Sequence, residues 1–342
     1  MYCPRLNHFV RLNKNGSIGK CGHMNTSMGF ESVDQLEKSK WLKKIKTKMS
    51  NDEWPDECVR CKQTEEINQE SVRIKSIERH KLLQPLKEDY LVVGGVLDNV
   101  CNSACQTCHS GLSTKIGSLE SKDYPRVDNY VRFWELPQNR ILEIDVNGGE
   151  PTASKNYKKI LSRLPTNTRI VRMNTNGSRM IPEIESILKK RIMVIVTLSL
   201  DGVEDVHDYV RWPIKWKNYI KSVKAYKNLQ KQYPSFRLNT WTTVSSLNVA
   251  NFSSILDFVT EHNLDHSWAL LNNPEVYDPR FKNSFTLNAK NKLQKSSYKI
   301  CQDLANTIAT GDDNQSQLDL FIKKQDFLRK INIKDYFNFL PK

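Results

Sequence analysis

Residues 141–202 run ILEIDVNGGEPTASKNYKKILSRLPTNTRIVRMNTNGSRMIPEIESILKKRIMVIVTLSLDG, and the alternation within them decides the fold. Residues 141–146, 169–173 and 192–200 are short runs rich in apolar and β-branched side chains. Residues 157–164 and 184–190 instead carry apolar residues at helical spacing. Strands alternating with helices of this length predict β-α-β units and a parallel sheet. Working outward, 90–97, 236–244 and 266–271 read as three more strands, and 127–136, 216–229 and 252–262 as helices. Six strands with crossovers of one hand leave an open doubly wound sheet or a full or partial barrel. In either architecture the chemistry sits at the C-terminal ends of the strands. The polar motifs fall there: Cys101-Asn-Ser-Ala-Cys105-Gln-Thr-Cys108, Gly148-Gly149-Glu150-Pro151, Asn174-Thr-Asn-Gly177 and Ser199-Leu-Asp-Gly202. They converge on one mouth.

The flanks differ in texture. Residues 1–85 hold four cysteines between polar helical runs, and 286–342 are Lys- and Asn-rich with helical periodicity. The 342 residues allow about two domains. With 52 Lys+Arg against 38 Asp+Glu the net charge is +14, a surface suited to an acidic partner or to plain solvation. The start, MYCPRLNHFV, lacks a basic segment followed by an apolar stretch, and no apolar run nears the roughly 20 residues that span a bilayer. A cytoplasmic protein with no membrane partner is expected. In a reducing compartment its eight cysteines read as metal ligands or catalytic groups before disulfides.

Cys101, Cys105 and Cys108 place three thiols within eight residues. Three local thiolates suit an iron–sulfur cluster and leave one iron without a protein ligand, a position a small molecule can chelate. Zinc on Cys105, Cys108 and another pair is the alternative at this level. Gly94-Gly95, with no Gly-Lys-Ser/Thr nearby, gives no nucleotide-triphosphate signature.

The C-x3-C-x2-C loop after a first strand, Gly148-Gly149-Glu150-Pro151 after the second, and Ser199-Leu-Asp-Gly202 with His207-Asp-Tyr-Val-Arg211 after the fourth resemble the radical S-adenosylmethionine superfamily. They occur in its order and spacing over residues 88–275. The resemblance implies an α/β fold, a partial (β/α)6 barrel at 86–285, with a 4Fe-4S cluster on Cys101, Cys105 and Cys108. It implies S-adenosylmethionine chelating the free iron and cleaved by one electron, from a reductant such as flavodoxin or ferredoxin, to a 5′-deoxyadenosyl radical that takes hydrogen from a substrate. By position, Gly148, Gly149 and Glu150 would line the methionine amino group, and Ser199 and Arg211 would contact its carboxylate or ribose. Thr107 stands where an aromatic residue is common in the family.

Cys3, Cys21 and the pair Cys58-Val-Arg-Cys61 can complete a second metal site. Residues 1–85 resemble the auxiliary-cluster domains called SPASM and, when shortened, twitch, which usually follow the barrel. Asn13-Lys-Asn-Gly-Ser-Ile-Gly-Lys-Cys21 is similar to their hairpin running into a cysteine. An auxiliary iron–sulfur cluster is expected there, with structural zinc as the alternative. His8 and His23 flank these cysteines as substitute ligands, His109 is expected to contact its own loop, and Cys301 is expected in the core of a helical C-terminal extension at 286–342. Enzymes with such auxiliary domains often act on a peptide or protein side chain, and that substrate is expected here. The competing readings are an RNA base, from the charge, and a non-catalytic zinc-stabilised nucleic-acid-binding protein.

Overall fold

The computed structural model describes every residue except 26–27, 67–69, 88, 122 and 338–342, so the end of the expected C-terminal extension lies outside the described residues. Eight strands are present: β1 (Phe9–Leu12), β2 (Ile18–Gly19), β3 (Leu91–Val96), β4 (Ile141–Asn147), β5 (Ile170–Thr175), β6 (Met193–Ser199), β7 (Phe236–Val244) and β8 (Asp265–Leu270). They form one open sheet in the order β2-β1-β3-β4-β5-β6-β7-β8. The last six are the strands expected from sequence, and each is parallel to the next. Consecutive order with crossovers of one hand winds the helices onto a single face.

The count of six needs correcting at one edge. β1 pairs in parallel with β3, and β2 pairs antiparallel with β1, so the N-terminal segment extends the same sheet. The hairpin anticipated around residues 13–21 is there, turned by Gly16 at φ +83°. Its docking on β3 was not visible in the periodicity. Gly94 and Gly95 permit it: a Cβ on Gly94 would overlap the Phe9 ring, and one on Gly95 the Leu12 backbone.

One face of the sheet is sealed. Val194, Val196 and Leu198 of β6 and Phe236 and Leu238 of β7 join the largest core with residues of the helices Ile184–Lys189, Trp216–Gln232 and Phe252–Glu261. Fully burying each such side chain contributes roughly 1.5–3 kcal/mol. The alternate residues face away from that core. Asn147, Asn174, Thr197 and Asn239 occupy neighbouring positions across β4 to β7, with an Asn174 Nδ2 bond to Asn147 Oδ1 at 2.7 Å. Trp241, two residues beyond Asn239, is 39% exposed on the same face. This polar row lies just below the mouth.

Two helices differ from expectation. The run 127–136 shortens to Tyr130–Glu135, because the Asn129 side chain donates to the Asn13 and Val96 carbonyls. An additional helix, Thr114–Glu120, starts on the Ser113 side chain, which accepts from Ile116 N. Gly117 hid it from the sequence; a Cβ there would overlap the Tyr124 ring. The C-terminal helices Ser284–Gln294 and Lys299–Thr307 pack on the main core, with Cys301 buried as expected. The helix Gln315–Arg329 packs with Tyr209, Val210 and Tyr277 in a separate cluster. Among the described residues no helix is long and apolar enough to cross a membrane.

Candidate functional site

The loop after β4 seats the cysteine loop backbone against backbone. Gly149 N donates to Asp98 O at 2.8 Å and Glu150 N to Val100 O at 2.7 Å. Gly148, at φ +130°, and Gly149 leave no room for a side chain: a Cβ would overlap the carbonyls of Asp98 and Val100, respectively. Closeness of approach is therefore the physical reason for both glycines. From the other side, Ala104 N donates to Trp212 O at 2.7 Å and Gln106 N to Val210 O at 2.9 Å. The Ser103 hydroxyl lies 3.2 Å from Cys101 Sγ and 3.6 Å from Cys105 Sγ.

The result is a cavity of about 190 Å³ at the C-terminal ends of the strands. All eight residues singled out in this region line it: Cys101, Cys105, Cys108, Gly148, Gly149, Glu150, Ser199 and Arg211. Burial, then the neighbouring Cys105, pushes the Cys108 thiol up to about 12, and burial likewise raises Cys101. Among the described residues no three His, Cys, Asp or Glu side chains gather as closely as the ligands of a single ion. The cavity's donor set nonetheless suits a thiolate-bound cluster, for three thiols and the cation of Arg211 line it. Arg211 Nη1 donates to Asp201 Oδ2 at 2.9 Å, and Asp201 Oδ1 accepts from Thr243 N at 2.8 Å. Burial opposes the charge of Arg211, but Cys105 and Asp201 hold it above the ordinary arginine value. Its Nε is buried with no hydrogen-bond partner among the described residues.

Glu150 lines the cavity and also fastens its loops. It is 1% exposed, and its carboxylate accepts from Thr152 N at 3.1 Å, Thr152 Oγ1 at 2.9 Å, Thr175 Oγ1 at 2.7 Å and Asn176 N at 2.7 Å. It ties the β4 loop to the β5 loop. Asn176 passes the tie onward, donating to Asn102 Oδ1 at 2.7 Å. Asn147, Asn174 and Asn176, which were not singled out as site residues, also line the cavity. Their place at strand ends was the available signal. Ser103 and Asp201 were likewise visible only as parts of motifs.

Cys3, Cys21, Cys58 and Cys61 line a second, smaller cavity together with His23. Burial pushes Cys3 up to about 11 and Cys58 up to about 12, with the neighbouring cysteines adding to the effect. Arg5 Nε donates to Cys21 Sγ at 3.2 Å. By strand register, Cys3 precedes β1 at the end of the sheet opposite the first cavity. His8 lies outside this group, stacked on Tyr90 at 4.1 Å. His109 Nδ1 accepts from Gly111 N at 3.1 Å, a contact within its own loop, as expected.

The sequence profile of the Radical SAM superfamily matches residues 97–258, the stretch from the cysteine loop to the helix after β7. Nearly half of this chain is thus similar to the Radical SAM superfamily. Over 135 residues it is 28% identical to the mycofactocin maturase MftC of Mycobacterium ulcerans (strain Agy99), covering 39% of this chain and 34% of that protein. Over 138 residues it is 28% identical to MftC of Mycolicibacterium smegmatis (strain ATCC 700084 / mc(2)155), covering 39% and 32%. The matches thus span about a third of the length of these curated relatives. Among solved structures, Streptococcus suis SuiB bound to precursor peptide SuiA aligns with a TM-score of 0.41 at 15% identity, covering 96% of this chain and 70% of that one. SuiB bound to S-adenosylmethionine aligns at 0.40 and 14%, covering 95% and 70%.

Proposed function

We propose that this protein is a radical SAM enzyme that holds a 4Fe-4S cluster on Cys101, Cys105 and Cys108 and acts on a side chain of a peptide or protein. The observation that carries this reading is the meeting of three thiols, two glycines, Ser199 and Arg211 on one cavity at the strand ends. When bound, the cluster and S-adenosylmethionine supply a 5′-deoxyadenosyl radical able to take hydrogen from substrate. The chain's own residues hold and orient. The backbone at Gly148 and Gly149 offers close approach to the amino group of the cosubstrate. Arg211 offers its guanidinium to an anionic group such as the methionine carboxylate. Ser199 supplies a hydroxyl at the mouth, and Glu150 lines the amino-group side while fixing the loops.

The peptide reading draws on the polar row Asn147, Asn174, Thr197 and Asn239 beside the exposed Trp241. Amide and hydroxyl groups repeated across neighbouring strands suit the repeated N–H and C=O groups of an extended chain. Cys3, Cys21, Cys58 and Cys61, which share one cavity, are the proposed ligands of an auxiliary iron–sulfur cluster. Residues 1–85 are accordingly assigned to a twitch-like unit, 86–285 to the barrel and 286–342 to a helical extension. A flavodoxin or ferredoxin would supply electrons in the cytoplasm.

The test is anaerobic incubation of the reconstituted protein with S-adenosylmethionine, a strong reductant and candidate peptides encoded beside it, read by mass spectrometry. A peptide mass change that requires S-adenosylmethionine supports the reading. A colourless, zinc-loaded preparation contradicts it. A salt-sensitive shift of RNA, with no change in any peptide, would move the substrate to a nucleic acid.

A further inference from the structure

Arg329 ends the helix Gln315–Arg329, far in sequence from the cysteine trio, yet it is 4% exposed and touches that loop. Its Nε donates to Ala104 O at 2.8 Å and its Nη2 to Cys105 O at 3.4 Å. Its Nη1 donates to Gln325 O at 3.2 Å and to Gln325 Oε1. No carboxylate stands within ion-pair distance of it among the described residues. Asp326, the nearest acid in sequence, is occupied by Tyr209 OH at 2.8 Å and Ile333 N at 2.8 Å.

A buried guanidinium without a hydrogen-bonded anion costs several kcal/mol, and carbonyl oxygens return only part of that. The negative end of its own helix helps through Gln325 O. That bond would be made equally well by a residue turned to solvent, so it leaves the contacts to Ala104 and Cys105 unexplained. The Cys105 thiol is within electrostatic range of Arg329, as it is of Arg211. Arg211 already has Asp201. Arg329 feels Asp326 only at a distance and has no hydrogen-bonded carboxylate among the described residues, while its direct contacts are to the cysteine loop.

We propose that Arg329 is the built-in counter-charge of the cysteine trio, a positioning residue through which the C-terminal extension braces the loop and eases reduction of the cluster it holds. The inference rests on the ligand assignment proposed above. A thiolate-bound cluster is net negative and gains one further negative charge on reduction. A fixed cation beside a ligand therefore favours the reduced form, strongly so where water is excluded.

The experiment is an anaerobic redox titration followed by electron paramagnetic resonance, without S-adenosylmethionine, on full-length protein with iron content measured alongside. Arg329→Gln removes the charge and keeps an amide donor. Gln325→Glu leaves Arg329 in place but sets a carboxylate against its Nη1, so the charge is answered while the brace persists. Both variants are expected to disfavour reduction about tenfold, a fall of about 59 mV for one electron. Arg329→Lys should stay near the wild-type midpoint. A wild-type midpoint in Gln325→Glu, which does not depend on Arg329→Gln folding, overturns the proposal while leaving the ligand assignment intact. Wild-type protein that takes up no iron overturns both.

Discussion

At the scale of single residues, burial decides what the polar groups near the site can do. His207 lies fully buried between Trp216 and Tyr219, and burial, with Arg211 adding to it, pushes it down to about 3 from the ordinary 6.5. Above pH 6.5 neither the folded nor the unfolded chain protonates it, and stability is untouched. As pH falls from 6.5 toward 3, the unfolded chain takes up a proton the folded chain refuses, so stability is lost at up to about 1.4 kcal/mol per pH unit. Thermal melts of the apoprotein at pH 7.5 and 5 should show a larger drop for the wild type than for His207→Phe. Equal drops would mean that His207 is protonated in the fold. The sequence marked this residue only as part of the segment leading to Arg211. Its neutral state follows from three-dimensional packing, which no spacing encodes.

Among the elements, the loops after β3, β4 and β5 act as one unit, and Glu150 is their fastener. Glu150→Gln puts an NH2 where one carboxylate oxygen meets an N–H or O–H donor, so at least one buried hydrogen bond is lost and two donors oppose each other. The expected cost is roughly 1–3 kcal/mol in chemical denaturation, with disordering of the cysteine loop. A variant as stable as wild type would contradict the fastener role. The strands of this unit were legible because short apolar and β-branched runs are local properties. Gly148 and Gly149 were legible as a motif, but their reason, contact with the carbonyls of Asp98 and Val100, is not local. The same limit applies to β1, whose pairing with β3 depends on Gly94 and Gly95, some 80 residues away. The helix Thr114–Glu120 escaped because a glycine at 117 weakens the helical pattern while serving the packing of Tyr124.

Across the whole molecule, the strand order places one cysteine cavity at the C-terminal ends of the strands and a second toward the opposite end, on the sheet extension built by the N-terminal segment. The C-terminal helices return to brace the first cavity through Arg329. The sequence showed the six central strands and both cysteine groups, but not that the N-terminal segment and the helix Gln315–Arg329 hold the sheet at its edge and at its mouth. If the first cavity is where chemistry happens, the two groups must separate functionally. Formation of 5′-deoxyadenosine from S-adenosylmethionine under a strong reductant, measured on anaerobically reconstituted protein, distinguishes them. Wild type and the Cys58→Ala/Cys61→Ala variant should both form it, while the variant with Ala at 101, 105 and 108 should fall to the protein-free background. Continued formation of 5′-deoxyadenosine by that triple variant would contradict the assignment.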